Sequence, residues 1–135
     1  MKKETIDMMK EMDFSDPADS EIIASVEREV GMEFPEQYKD FMRTSNGAEG
    51  PLGDSSYLSI WPLDEIADLN EDYGVKKFTP GLLYFGSDGG GTAYAFDNRV
   101  VPPNIVEFPF DSIHIEDAVK IADTLDEFIY KLYVR

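Results

Sequence analysis

Residues 81–110, GLLYFGSDGGGTAYAFDNRVVPPNIVEFPF, contain three aromatic-rich apolar segments that are separated by turn residues. Gly81–Phe85 and Thr92–Asp97 have the residue types of β-strands, and the glycine-rich run Ser87–Gly91 between them favours a hairpin. Asn104–Phe110 predicts a third strand. Short connections join antiparallel strands, whereas parallel strands need a crossover of a dozen or more residues. The stretch therefore predicts an antiparallel meander.

Amphipathic helical patterns lie upstream of this meander. Apolar residues recur at helical spacing in each of them, and glycine or asparagine follows three of them, as expected at helix ends. We predict helices at residues 4–13, from Asp16-Pro17 to Val30 before Gly31, from Phe34-Pro35 to Asn46-Gly47, and from Pro62 to Tyr73 before Gly74. Between the last two helices, Gly50, Pro51 and Gly53 predict a loop, and Tyr57–Trp61 alternates as a strand does.

Downstream of the meander, residues 112–115 and 118–122 are two shorter extended candidates. Thr124 and Glu127 then form a capping box, which predicts a final helix with Leu125, Phe128 and Ile129 on its inner face. Helices, an antiparallel meander and a closing helix together predict an α+β fold with a largely antiparallel sheet and flanking helices.

Composition narrows the function classes. The 135 residues include 12 Lys and Arg against 28 Asp and Glu, a net charge of −16 at pH 7, with 42% hydrophobic and 13% aromatic residues. These values are typical of a packed globular domain rather than a disordered chain. The absence of cysteine excludes disulfides and thiolate chemistry. The acidity disfavours nucleic acid and anionic membranes as direct partners. No apolar run resembles a signal or a membrane span, so we expect one cytoplasmic domain over residues 1–135.

Catalytic and metal-binding chemistry finds little support. The glycine run leads into a strand rather than a helix, and Asp88 would repel an anion, so a hairpin turn is favoured over phosphate binding. His114 is the only histidine, and the sequence contains no G-x-S-x-G motif whose serine it could activate. Glu107 is the one candidate buried acid, but strand alternation places it opposite Val106, towards solvent. We predict no catalytic residue, no metal and no cofactor.

Two surfaces are candidates for binding a partner. The first is the outer side of the fourth predicted helix, which carries five acids and no intervening Lys or Arg: Asp64, Glu65, Asp68, Glu71 and Asp72. One interpretation is a solvated face that keeps the protein soluble; the other is a docking surface for a basic partner. The second candidate combines aromatic residues with the glycine turn. It comprises Tyr57, Trp61, Tyr94 and Asp88, and its alternative is ordinary core packing.

The upstream pattern resembles a known signature. Ile23-x-x-Val26-Glu27-x-x-Val30-Gly31-x-x-Phe34-Pro35-x-x-Tyr38-x-x-Phe41-Met42-x-x-x-Asn46-Gly47 is similar to the opening motif of the SUKH (Smi/Knr-like) superfamily. Leu63-x-Glu65-Ile66, Phe85–Gly91 and the closing Ile121–Ile129 follow in the family's order. The similarity covers roughly residues 16–133.

The resemblance implies a non-catalytic α+β fold in a superfamily of fungal cell-wall-assembly regulators and bacterial immunity proteins. Its motif residues are architectural: Gly31 and Asn46-Gly47 cap helices, Pro35 starts one, and Gly89, Gly90 and Gly91 shape the hairpin. It suggests that the protein neutralises a cognate polymorphic toxin, often a nuclease, by binding it. The alternative is an intracellular regulatory or small-ligand-binding module with a sheet-side pocket. The oligomeric state stays open.

Overall fold

Seven antiparallel strands form one sheet, and their order across the sheet is their order along the chain, β1 to β7. The computed structural model describes residues 1–135. The helices are α1 (Lys3–Met8), α2 (Ser20–Val30), α3 (Glu36–Met42), α4 (Leu63–Asp72), α5 (Val75–Phe78) and α6 (Leu125–Val134). The strands are β1 (Asp13–Phe14), β2 (Ala48–Leu52), β3 (Ser56–Ile60), β4 (Leu82–Ser87), β5 (Thr92–Asp97), β6 (Asn104–Pro109) and β7 (Val119–Ala122). The predicted α+β class is confirmed.

The two faces of the sheet are covered by different helices. Phe85 and Phe96 stack with ring centroids 4.3 Å apart on one face, where Tyr38 of α3 and Phe128 of α6 pack against them. Tyr84 points to the other face, towards α4. Such aromatic pairs contribute about 0.5–1.5 kcal/mol each beyond the area they bury. The core is therefore one aromatic-rich cluster built on β4 and β5.

Helix α4 is anchored to the sheet through a buried amide. The side chain of Asn70 donates from Nδ2 to the carbonyl oxygen of Tyr84 (2.9 Å), and its Oδ1 accepts from the Tyr84 N–H (2.8 Å). Strand β3 pairs with β4 only at Ser59–Ser87 and Ile60–Gly86, so no strand reaches Tyr84 from that side. Asn70 supplies the hydrogen bonds that a longer β3 would have made. As a result α4 lies beside the part of β4 that β3 leaves unpaired.

Several predicted elements differ from the structure. Residues 48–52 form strand β2 rather than a loop, and Asp13–Phe14 pairs with it as a short edge strand. The first helix ends at Met8 rather than at residue 13. The second begins at Ser20, because the Asp19 side chain accepts from the Ile22 N–H, and the Asp16-Pro17 start was wrong.

The region after β6 also departs from prediction. Residues 112–114 form no strand, and Ile115–Asp117 is a single 3₁₀ turn, so the extended segment at 112–115 was wrong. The hydroxyl of Ser112 donates to Asp117 and accepts the His114 N–H, and these local bonds compete with strand pairing. The second extended candidate is confirmed as β7. None of the helices has the length and hydrophobicity needed to cross a bilayer.

Candidate protein-binding surface on both sides of helix α4

The five acids predicted to form a binding face are all exposed on α4. The helix buries Leu63, Ile66 and Asn70 against the rest of the protein, so its charged side must face outward. The exposed acids are Asp64, Glu65, Asp68, Glu71 and Asp72. None of them takes part in any of the ion pairs of the structure. Their negative charge is therefore not neutralised by neighbours within the chain.

Helix α4 separates two concave regions, and the first is lined by Glu65 and Leu69 of α4 and by residues of β1 to β4. This cleft, of about 590 Å³, has three carboxylates on its walls, from Asp13, Glu49 and Glu65. Asp13 pairs with Glu49, Glu49 with Ser59, and Ser59 with Ser87, so these four side chains form one row across β1 to β4. No lysine, arginine or histidine lines it. We call it the acidic cleft.

Aromatic side chains border the acidic cleft. Phe14 lines it and is 47% exposed, and Trp61 lines it from the core side. Tyr57 lies at its edge with its ring directly against the Gly89 backbone, where even a Cβ atom would come within 2.8 Å of Cδ1. Partial desolvation and then the negative charges of Glu49 and Asp13 raise the pKa of the Tyr57 hydroxyl. The tyrosine therefore stays neutral at physiological pH, with the Glu49 carboxylate as a nearby hydrogen-bond acceptor for its hydroxyl.

The second concave region lies on the other side of α4. It has a volume of about 680 Å³ and is bounded by the end of α2, by α4, by α5 and by the start of β4. We call it the α4–α5 cavity. Its apolar lining residues are Val30, Met32, Ala67, Val75, Leu82 and Leu83, and its charged ones are Glu29, Asp68, Glu71, Lys76 and Lys77. The two lysines are absent from the ion pairs of the structure.

The predicted aromatic patch does not form as one surface. Trp61 is only 8% exposed and packs on Phe110, and Tyr94 is 3% exposed and packs edge-on against Phe128. The alternative of core packing is correct for both residues. Asp88 uses its Oδ1 within the hairpin, accepting from the N–H groups of Gly90 and Thr92. Of the four residues, Tyr57 alone presents an exposed aromatic ring to a partner.

The predicted architectural residues are placed as follows. Gly31 ends α2 in the left-handed conformation (φ 73°), and Pro35 precedes the first residue of α3. Within the hairpin, Gly89 alone has positive φ, while Gly90 and Gly91 follow it in the turn. The assignment of Asn46-Gly47 as a cap for its own helix was wrong, because α3 ends at Met42. Instead, the Asn46 Oδ1 accepts the Leu63 N–H at 2.8 Å and caps α4.

The remaining titratable candidates lie away from both concave regions. His114 is exposed, with Nδ1 4.0 Å from a Glu116 carboxylate oxygen. Glu107 is partly buried and accepts a hydrogen bond from Arg135 at 2.8 Å. Neither residue lines the acidic cleft or the α4–α5 cavity. No three His, Cys, Asp or Glu side chains are grouped so that they would hold a metal ion.

The sheet order and the helices packed on the sheet define a small α+β domain with an exposed acidic surface. Residues 17–131 match the model of the SMI1 / KNR4 family (SUKH-1). The chain belongs to this family, which includes immunity proteins and whose members are generally non-catalytic.

The chain is also similar to a protein that has no described function. An uncharacterized protein, YnaB, from Bacillus subtilis (strain 168) is 34% identical over 88 residues. The match covers 65% of this chain and 51% of the relative, so the chain spans about half the length of the curated relative it matches.

Proposed function

We propose that the protein binds a basic partner with the acidic cleft and the outer side of α4, and that the partner is a bacterial toxin domain which it neutralises by occlusion. The observation that carries this proposal is a continuous set of carboxylates with no cation to neutralise them. Glu65 belongs to both regions, because it is part of the α4 acids and also lines the cleft. A partner that docks along α4 therefore meets the cleft as well.

The geometry favours a basic side chain as the occupant of the acidic cleft. Asp13, Glu49 and Glu65 surround it, and the exposed rings of Phe14 and Tyr57 lie at its border. An arginine combines charge pairing with stacking on aromatic rings, which is why it is frequent at the centre of protein interfaces. The hydroxyls of Ser59 and Ser87, in the same row as Asp13 and Glu49, offer hydrogen-bond acceptors for a guanidinium that enters the cleft.

A nuclease is the toxin class that fits this surface best. Enzymes that cleave nucleic acids carry lysine and arginine around their phosphate sites. A protein with a net charge of −16 competes with the substrate for such a site. Opposite potentials also accelerate the encounter of the two proteins, which matters for a protein that must neutralise a toxin quickly.

The small-ligand alternative receives no support at the place where the sequence predicted it. The cleft beside Trp61 has more polar than apolar lining residues, with three carboxylates and three serines among them, and Tyr94 does not line it. This lining fits a site for a charged macromolecule better than a site for a small apolar ligand.

The proposal is tested with a candidate nuclease toxin domain, purified in an inactive form. We expect Glu49→Gln with Glu65→Gln to lower the association rate constant about tenfold at low salt and to have little effect at high salt. The matched control is Asp7→Asn with Asp54→Asn, which removes the same charge at exposed, unpaired acids outside both concave regions. Equal rates for the two double variants, or no complex at all, would overturn the proposed function.

A further inference from the structure

The α4–α5 cavity has features that a charged docking surface alone does not require. Its volume of about 680 Å³ falls within the roughly 300–1,000 Å³ typical of ligand pockets. Val75, Leu82 and Leu83 are at most 5% exposed and form its inner wall, while Val30 and Ala67 are partly exposed around them. Covering the partly exposed apolar side chains of this lining with an apolar group removes them from water, which is favourable.

Charges of opposite sign line the cavity and belong to different helices. Glu29 is on α2 and Asp68 and Glu71 are on α4, whereas Lys76 and Lys77 belong to α5, beyond the turn at Gly74. None of these five forms an ion pair within the chain. A segment that crosses the cavity would thus meet negative charge at α2 and α4 and positive charge at α5. This arrangement selects one orientation of the segment, since the reverse places like charges together.

From these features we infer that the α4–α5 cavity receives one large apolar side chain of the same basic partner, an inference that rests on the proposed function. The segment that carries this side chain has a basic residue facing Asp68 and Glu71 and an acidic residue facing Lys76 and Lys77. Asp68 and Glu71 belong both to the acidic side of α4 and to the rim of the cavity, so docking along α4 brings the partner over it. The apolar residue acts as a buried anchor, and the charges steer and orient it.

Met32 also lines the cavity, and its sulfur accepts a hydrogen bond from the Asn98 Nδ2 at 3.3 Å. Methionine fills irregular gaps and is frequent at surfaces that accept varied apolar groups. The cavity therefore accepts a leucine, a methionine or a phenylalanine anchor.

The test uses a substitution that fills the cavity without changing charge. We expect Ala67→Trp to raise the Kd for the inactive toxin domain at least tenfold, mainly through faster dissociation, with an unchanged dependence of association on salt. Ser25→Trp on the exposed side of α2 is the control and keeps the Kd of the parent protein. Urea unfolding of both variants verifies that they fold.

A second measurement does not depend on accommodating a tryptophan. The chain has no cysteine, so Ala67→Cys and Ser25→Cys each provide one site for an environment-sensitive fluorophore. Adding the toxin domain should shift the emission of the label at position 67 to the blue and leave the label at position 25 unchanged.

The outcomes separate this inference from the proposed function. An unchanged Kd for Ala67→Trp, together with slow association of the Glu49/Glu65 variant, would refute the anchor and leave the proposed function standing. A blue shift with octanoate alone and none with the toxin domain would assign the cavity to a small amphiphile and refute the anchor as well. If the toxin domain does not bind the parent protein, both the proposed function and the apolar anchor are refuted.

Discussion

Asn46 and Leu63 are seventeen residues apart, yet the Asn46 Oδ1 accepts the first free backbone N–H of α4 at 2.8 Å. Pro62 occupies the position before the helix and has no side-chain oxygen to serve as a cap. Asn46 therefore replaces the missing local cap from another part of the chain. The same bond ties the loop after α3 to the helix that carries the acidic surface.

Removing this distant cap should destabilise the protein. We expect Asn46→Ala to lower the free energy of unfolding by about 1 kcal/mol, the usual effect of losing an N-cap. Asn46→Asp retains the acceptor oxygen and should keep most of the stability. Urea unfolding followed by circular dichroism measures both. An alanine variant as stable as the parent protein would show that water satisfies the Leu63 N–H equally well.

Gly47 should tolerate alanine much less well than Gly31. Both have positive φ, which costs a non-glycine residue roughly 1–2 kcal/mol. A Cβ at Gly31 would meet no atom within 4 Å, whereas one at Gly47 would lie 2.6 Å from the Ile60 carbonyl oxygen. Gly31→Ala therefore costs the conformational strain alone, and Gly47→Ala adds a backbone displacement of β3. Equal losses of unfolding free energy in the two variants would contradict this close approach.

These contacts show what local sequence patterns can and cannot reveal. The strands at β4, β5 and β6 were predictable because each is a continuous apolar segment bounded by turn residues. Strand β2 was not, since Gly50 and Pro51 disfavour strands locally. In the structure β1 pairs only with Ala48 and Glu49 of β2. Beyond these two residues β2 is the outermost strand of the sheet. Pro51 lies in this part of β2, where no backbone N–H is needed to pair with a further strand.

The acidic surface was predictable only in part, because some of its residues come together through tertiary contacts that leave no local sequence pattern. The five acids of α4 follow from one helical period, and their exposure follows from the burial of the opposite side. Pairing between β1 and β2 places Asp13 next to Glu49, and α4 brings Glu65 to the same cleft. Both strands form only through contacts with distant parts of the chain. The register of these strands carries no local signal. No pattern within the sequence could therefore place the three carboxylates around one cleft.

Asp97 should make stability depend on pH in the acidic range. Its carboxylate is 8% exposed and accepts hydrogen bonds from the Arg99 side chain at 3.0 Å, which lower the pKa of the Asp97 carboxyl below its ordinary value. Because the folded-state pKa is the lower one, the stabilisation is complete above the unfolded-state pKa. It is lost as the pH falls through the folded-state pKa.

The comparison with Asp97→Asn isolates this contribution. At pH 7 the variant should be less stable by about 1 kcal/mol, since the charge-assisted bond to a half-exposed arginine is weakened. The difference should vanish once the pH is below the folded-state pKa of Asp97. Asp7→Asn removes the same charge at an exposed, unpaired site and controls for the overall repulsion of the acidic chain. A difference between parent and Asp97→Asn that is independent of pH would contradict the ion pair.

The two ends of α4 provide a matched pair for separating stability from binding. Asp72 is the last residue of the helix, where a negative charge opposes the helix dipole, and it stands four residues from Asp68. Asp72→Asn should therefore raise the free energy of unfolding by about 0.3–1 kcal/mol at low salt. Asp64→Asn removes the same charge from the first turn, where it is favourable, and should lower stability slightly. Unfolding in urea at low and high salt checks both effects.

Binding should change in the direction opposite to stability at Asp72. If the acids of α4 attract a basic partner, Asp68→Asn with Asp72→Asn should slow association with the toxin domain more than it speeds dissociation, although the variant is more stable. Stopped-flow kinetics at two salt concentrations measure the two rate constants separately. A more stable double variant with an unchanged association rate would mean that these two acids serve solubility alone. The partner would then dock on the acidic cleft without contacting the end of α4.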